Sequence, residues 1–417
     1  MPNAATPTKS APAFDYDRAD LVEIDIFDQA FKRDPYEAFS RWSTRRPFYV
    51  DYGGWPQLVV SRHADVVRVL TDIEAFTSEK RPWGAIEKYY YFQGLPVVTD
   101  NDPPDHTRLR RLMAPAFSPR RLAAIETELT AHVSAEVDRF EARDGFDAAT
   151  DYGRALAAHV LFALLLQLPE EDWPIFLRIA HAMTSYNDIR VGGSPAQEFL
   201  DAWAAGREYC EQMIGERRRN PGEAVIDQLI AAHSESGRIT IDELLATLFV
   251  LYVAGHGGVA NTVAWTLYRL CRHRDQLELL QREPELLVSA VDEGIRIDPS
   301  AYHIIRFAQH DMDFDGVRVW KDMPILLMTG ASNYDPVRYP DPLGFDIARD
   351  ARRDTTAFGY GVHHCIGMSL SRMVGRIAVG EVVRRFPGLR LADPELIPSV
   401  VGGPKERGPA SIPLLVR

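Results

Sequence analysis

The sequence predicts a mainly α-helical domain with small β-sheets, and three observations carry that expectation. No linker divides the 417 residues. Apolar residues recur three and four apart in most segments from Arg120 to Leu280. Strand-like runs are confined to a region near the N-terminus and another after Pro299. A composition of 46% hydrophobic and 25% charged residues is ordinary for a globular chain and excludes the disordered and fibrous classes.

The elements follow in order. Met1 to Phe14 is rich in Ala, Pro, Thr and Ser, with Lys9 its one lysine and no apolar core of signal-peptide length. Residues 1–15 are therefore expected to form a flexible tail and 16–417 a single domain. Pro47-Phe48-Tyr49-Val50 and Gln57-Leu58-Val59-Val60, separated by turn residues, read as a β-hairpin. Helical spacing returns over Arg62 to Leu70. The stretch Trp83 to Phe92 gathers Trp83, Tyr89, Tyr90, Tyr91 and Phe92, which suits either an aromatic mini-core or a ligand-facing lid.

Helices are expected through Phe199–Arg219 and Glu285–Ile297, with the longest apolar run at Leu244–Val253. That run is about half of the roughly 20 residues a membrane span needs, so the protein is expected to be soluble. Ile304-Ile305, Val317–Val319 and Pro324–Met328 read as strands. A last helix over Ser369–Phe386 is ended by Pro387-Gly388, and strand-like pieces follow around Leu389 and Ile412–Val416.

The formal net charge of −12 argues against binding nucleic acid or an anionic membrane. Cysteines number only three, at 210, 271 and 365, too sparse and odd a set for a disulfide framework, which points to the cytoplasm. Cys210 and Cys271 lie in helical runs where buried, inert thiols are common.

Cys365 is different, because Phe358-Gly359-Tyr360-Gly361-Val362-His363-His364-Cys365-Ile366-Gly367 surrounds it with three glycines just before a helix. Glycines permit turns closed to other residues and let the backbone approach a flat ligand. Zinc held by His363, His364 and Cys365 would need a fourth ligand, and no second cysteine pair exists. A c-type haem would need C-x-x-C-H, which is absent. Glu293 and Arg296 are placed on one helical face by their spacing, weak evidence by itself. His106 and Arg110, in Asp102-Pro103-Pro104-Asp105-His106-Thr107-Arg108-Leu109-Arg110-Arg111, also share a face and both donate hydrogen bonds.

The pattern F-G-x-G-x-H-x-C-x-G resembles the cysteine loop of the cytochromes P-450 at every fixed position. E-x-x-R, D-P-P-x-H-x-x-x-R and a glycine-broken apolar helix also occur in that family's order, so the resemblance covers nearly the whole chain. It implies a single-domain cytochrome P-450 fold with haem b between the central helix and the cysteine loop. Cys365 would be the axial thiolate ligand. Phe358, Gly359, Gly367 and Ala254 would line the haem, and His106, Arg110, Arg306 and His363 would receive its propionates. Glu293 and Arg296 would be structural, in a buried ion-pair network.

The central segment Phe249–Thr262 departs from the family's A-G-x-[DE]-T, in which an acid and an alcohol relay protons during O2 reduction. Here those positions are Gly257 and Gly258. Glycine donates no side-chain proton, and two in succession are expected to widen or kink the helix. His256 and Asn261 are candidate organisers of water there. The resemblance further implies a pocket lined by Trp83, Tyr89, Phe92, Tyr186, Val250, Tyr302, His303, Ile304 and Val401.

The implied reaction is hydroxylation or oxidative demethylation of an apolar or aromatic small molecule by O2. No G-x-G-x-x-G or flavin segment is present, so electrons are expected from a ferredoxin and a ferredoxin reductase, with NAD(P)H as ultimate donor. Arg108, Arg110, Arg111, Arg120, Arg121, Arg352, Arg353, Arg372 and Arg376 could form a basic docking patch for it. A monomer is expected. Two alternatives remain: a peroxide-driven or non-hydroxylating haem-thiolate enzyme, prompted by Gly257-Gly258, and a haem sensor without turnover, against which the lack of an output domain argues.

Overall fold

The computed structural model describes residues 14–417 apart from 16, 27, 53, 84–93, 187–196, 223, 235–237, 352–353 and 404; side chains at 18, 180–186 and 234 are also outside the description. Helices dominate, and the longest, Ile241–Arg272, crosses the middle of the protein. Thr240 caps its start: the hydroxyl accepts from the Glu243 backbone N–H at 3.2 Å, and Glu243 accepts from the Thr240 N–H at 2.8 Å. It is long and apolar enough to cross a membrane by length and composition, yet 67% of its most apolar window is buried inside the protein. It is a core helix. It packs against Met368–Arg385 and Leu287–Ile297, and against the π-helical turn Ala148–Arg154.

The glycine pair does not interrupt this helix, which keeps α-helical hydrogen bonding from Ile241 to Arg272. The glycines therefore do not end the helix, because packing on both sides holds a segment that propensity alone would loosen. Thr262, one turn beyond Gly258, donates its hydroxyl to the Gly258 carbonyl at 2.9 Å.

The expected hairpin forms as Phe48–Asp51 paired antiparallel with Pro56–Val60. It extends into a mixed five-stranded sheet ordered Phe48–Asp51, Pro56–Val60, Pro324–Leu327, Ile304–Ala308, Phe76–Thr77. Smaller sheets join Gly145–Asp147, Pro413–Leu415 and Arg390–Leu391, and pair Val400–Val401 with Gly408–Pro409. Two apolar clusters fill the interior, a large one around the central helix and a smaller one under the five-stranded sheet.

Phe14 departs from the expected tail. Its ring packs against Trp55, Trp83 and Trp320 at centroid distances of 5.7, 5.1 and 5.0 Å. Burying an aromatic ring among three others gains more than a free terminus loses in chain entropy.

Candidate functional site

The cysteine loop runs between the turn Thr356–Phe358 and the helix Met368–Arg385. Gly359 and Gly361 have φ of +67° and +69°, the left-handed region that favours glycine. At Gly361 a Cβ would also lie 2.6 Å from the Leu70 carbonyl oxygen. The loop closes through the Cys365 N–H, donated to the Phe358 carbonyl at 2.9 Å. Burial pushes the Cys365 thiol up; the N–H groups of Gly367 and Met368 and the Arg110 charge oppose it. Protein surrounds the residue on most sides, yet Cys365 keeps accessible surface. A Cβ on Gly367 would stand 3.9 Å from the sulfur. Phe358 receives the Arg372 guanidinium 5.1 Å from its ring centroid.

Beside the loop, residues from four distant segments meet. His106 and His363 have ring centroids 4.1 Å apart. Arg110 donates to the His364 carbonyl at 2.5 Å and Arg306 to that of Ile305 at 2.9 Å. Burial, with Arg306 and His106 next in weight, holds His363 down to about 3; burial and Arg110 lower His106. Burial also brings Arg306 down to about 10. Asp102 is the acid nearest this cluster, 3.8 Å from His363, but its oxygens already accept from Ser78 and Thr77. The buried Nδ1 of His106 has no hydrogen-bond partner. Buried donors and positive charges in such excess call for anions, and two carboxylates would satisfy them.

The central helix exposes Ala254 and half-exposes Gly255 to Gly258, although most of its residues are buried. A Cβ added to Gly258 would meet no atom of the chain within 4 Å. Thiol, carboxylate receptors and an open helix face therefore fit a flat macrocycle bearing two carboxylates and an axially held metal.

The remaining residues singled out in the sequence separate by what they touch. Ile304 comes to the cysteine loop, its Cδ1 3.5 Å from where a Gly359 Cβ would be. Val250 is buried in the large apolar cluster, and Val401 is 44% exposed. Glu293 and Arg296 are fully buried and paired through two contacts of 2.7 Å. Tyr89 and Phe92 lie outside the described residues, as does the Tyr186 side chain.

Five expectations need correction. Trp83 does not line a pocket: its indole N–H is donated to the Pro56 carbonyl at 2.9 Å, within the aromatic cluster. Tyr302 donates its hydroxyl to Ile26 at 2.8 Å and packs on Phe31 and Phe39, a core role. Asn261 gives its amide to Ser300 Oγ at 2.8 Å and abuts Gly408, so it ties the helix to the C-terminal hairpin instead of organising water. His256 turns to Arg154 and is held neutral, down to about 4, by burial and that arginine's charge. His303 is likewise buried, held down to about 3 by burial and by Lys405 and Lys32.

Sequence reasoning missed Ser78, whose hydroxyl sits 2.9 Å from His363 Nε2, and Asp102 as the residue that anchors Ser78. Asp102 carried a signal, as it opens the D-P-P segment, whereas Ser78 carried none. It also missed Lys405 and Glu406, which the hairpin Val400–Pro409 brings beside Ala301 and the central helix.

Fold and site together define a haem-thiolate protein of the oxygenase class. The chain belongs to the cytochromes P450: the family model "Cytochrome P450" matches residues 29–399. It is 31% identical over 358 residues to Cytochrome P450 CYP107DY1 of Priestia megaterium, covering 82% of this chain and 85% of that one. Epothilone C/D epoxidase of Sorangium cellulosum is 29% identical, with 93% of each chain covered. The crystal structure of myxobacterial cytochrome P450 CYP267B1 in complex with myristic acid superposes with a TM-score of 0.85 at 27% identity, covering 94% of this chain and 98% of that one. Proteins of this family bind haem b, and the chain is a P450 monooxygenase.

Proposed function

We propose that this protein inserts one oxygen atom from O2 into an apolar small molecule held between the cysteine loop and the central helix, with electrons from a ferredoxin. The observation that carries this reading is the placement of Cys365 in the cleft beside the buried donors Arg110, Arg306, His106 and His363. When bound, haem supplies O2 activation and one-electron redox chemistry. Cys365 would hold the iron, and His106, Arg110, Arg306 and His363 would hold the propionates. Phe358, Gly359, Gly367 and Ala254 would border the ring plane. Ile304, and Val401 from the hairpin, would face substrate beside it.

The relatives support an apolar substrate, one being named for epothilones and one solved with myristic acid. For the ferredoxin, Arg111 and Arg120 are exposed. Arg372 is tied to Asp292 at 2.6 Å and Arg108 to Asp105 and Glu243, so neither is free for docking. Arg352 and Arg353 lie outside the described residues.

Cys365→Ser is the direct test. It should abolish the strongly red-shifted ferrous carbonyl band of the wild-type holoprotein; persistence of that band would exclude Cys365 as ligand. Gly257 and Gly258 favour a second reading, in which peroxide is the oxidant. Supplying peroxide without reductant, with myristic acid as probe, separates the two by product formation.

A further inference from the structure

Glu406 is the side chain that the fold brings nearest to Gly257. A Cβ built on Gly257 would lie 3.7 Å from Glu406 Oε2 and 4.0 Å from Oε1. An acidic side chain on residue 257 would end in the same region. Room for Glu406 is made by Gly402 as well: its φ is +110°, and a Cβ there would come within 2.9 Å of Glu406 Cβ and 3.3 Å of Oε2. Two glycines on separate elements thus leave space that one glutamate enters.

The backbone that carries Glu406 is pinned. Its N–H is donated to the Gly403 carbonyl at 3.0 Å, and it bridges Ala301 in antiparallel fashion. Tyr302 N–H is donated to the Lys405 carbonyl at 3.0 Å, and Arg407 N–H to that of Ser300 at 2.9 Å. Lys32, almost fully buried, donates its ammonium to the carbonyls of Gly402 and Gly403 at 2.9 and 2.8 Å. The frame fixes the point from which the Glu406 side chain reaches toward Gly257.

We propose that Glu406, reaching over from the C-terminal hairpin, supplies the acid that residue 257 lacks and passes protons to O2 as it is reduced. This rests on the monooxygenase reading above. Insertion of one oxygen atom into a C–H bond consumes O2, two electrons and two protons, and releases one water. The electrons come singly from the external protein reductant. Glu406 gives up its carboxyl proton and regains one from solvent, so it is unchanged over the cycle.

Burial pushes the Glu406 carboxyl up from its ordinary value; Lys405, Lys32 and the Gly403 N–H oppose this by favouring the anion. His303, near both lysines, is neutral above about pH 3 and adds no charge at neutral pH. The central helix presents glycine here, and His256 is turned to Arg154.

The test compares the wild-type holoprotein with Glu406→Gln. Infrared difference spectra of the proteins, without substrate, should show a protonated-carboxyl band that disappears as pH rises through the raised pKa and is missing from the variant. With a plant ferredoxin as electron donor, Glu406→Gln should slow O2 consumption at least tenfold and flatten its pH profile, while the ferrous carbonyl band stays in place. Glu406→Ala combined with Gly257→Glu should recover most of the lost rate. If Glu406 only balances the buried Lys32, the variant will melt at a lower temperature but consume O2 at the wild-type rate, which would overturn the proposal; so would a missing carboxyl band. Failure of the monooxygenase reading looks different: O2 consumption would still depend on Glu406, yet no probe would gain oxygen.

Discussion

Single residues decide how tightly the cysteine loop is held. Gly361 combines a φ of +69° with a would-be Cβ 2.6 Å from the Leu70 carbonyl oxygen, a backbone atom that cannot step aside. Gly361→Ala is therefore expected to cost about 2 kcal/mol or more and to release the loop. Denaturant unfolding and the haem content of the purified protein measure this; a variant as stable and as fully loaded as wild type would show that the loop adapts. Gly258 is the opposite case, for a Cβ there meets no atom of the chain within 4 Å, so the protein itself does not strain against an added methyl group. Trp83 and Tyr302 show where reading residue types misleads. Each has a polar tip that was available for a ligand, and each gives it to a backbone carbonyl, because a buried N–H or O–H left unpaired is costly.

At the scale of elements, the helix Leu287–Ile297 is fastened to the loops that follow it through Glu293 and Arg296. Beyond the pair itself, Arg296 donates to the carbonyls of Asn333, Pro342 and Gly344 at 2.9, 2.9 and 3.0 Å. Glu293 accepts from the Asp346 N–H at 3.1 Å and from Arg349 at 3.2 Å. Removing Arg296 leaves the buried Glu293 carboxylate with only Arg349 and the Asp346 N–H as partners, so Arg296→Ala is expected to lose about 3 kcal/mol. Thermal melting checks it, with Glu293→Gln as a milder companion that keeps the shape and part of the hydrogen bonding. A loss below about 1 kcal/mol would mean that water reaches the site.

The glycine pair in the central helix teaches the same lesson in reverse. Propensity predicts a weak point at Gly257-Gly258, yet the helix runs through it unbroken. Neighbours on both flanks and a capped start contribute more than two glycines remove.

For the whole molecule, the balance of charge is acidic, at −12. Arg111 and Arg120 are exposed and open to a partner. Reversing both, Arg111→Glu with Arg120→Glu, is expected to slow reduction by an acidic ferredoxin several-fold, with the difference shrinking as salt is raised. Stopped-flow reduction under carbon monoxide reads this directly; equal rates at low salt would place docking elsewhere. Arg372, despite its position in sequence, is unsuited to this test, because its ion pair to Asp292 makes its loss a change in packing.

Sequence alone determined the class of the protein. The cysteine loop, the Glu293–Arg296 spacing, the D-P-P segment and the strand patterns are local, and local pattern is set by neighbours in the chain, which is why the hairpin and the post-cysteine helix were legible. What only tertiary structure decided is which side chains face the cleft. Helical spacing places Asn261 and His256 near Gly257, but their partners are Ser300 and Arg154, from other elements. Glu406 stands beside Gly257 because a distant hairpin folds back over the helix, and no period or motif in the chain encodes that approach. Long-range packing is settled by the sum of buried contacts, so the acid missing from its expected place is found only once the chain has closed on itself.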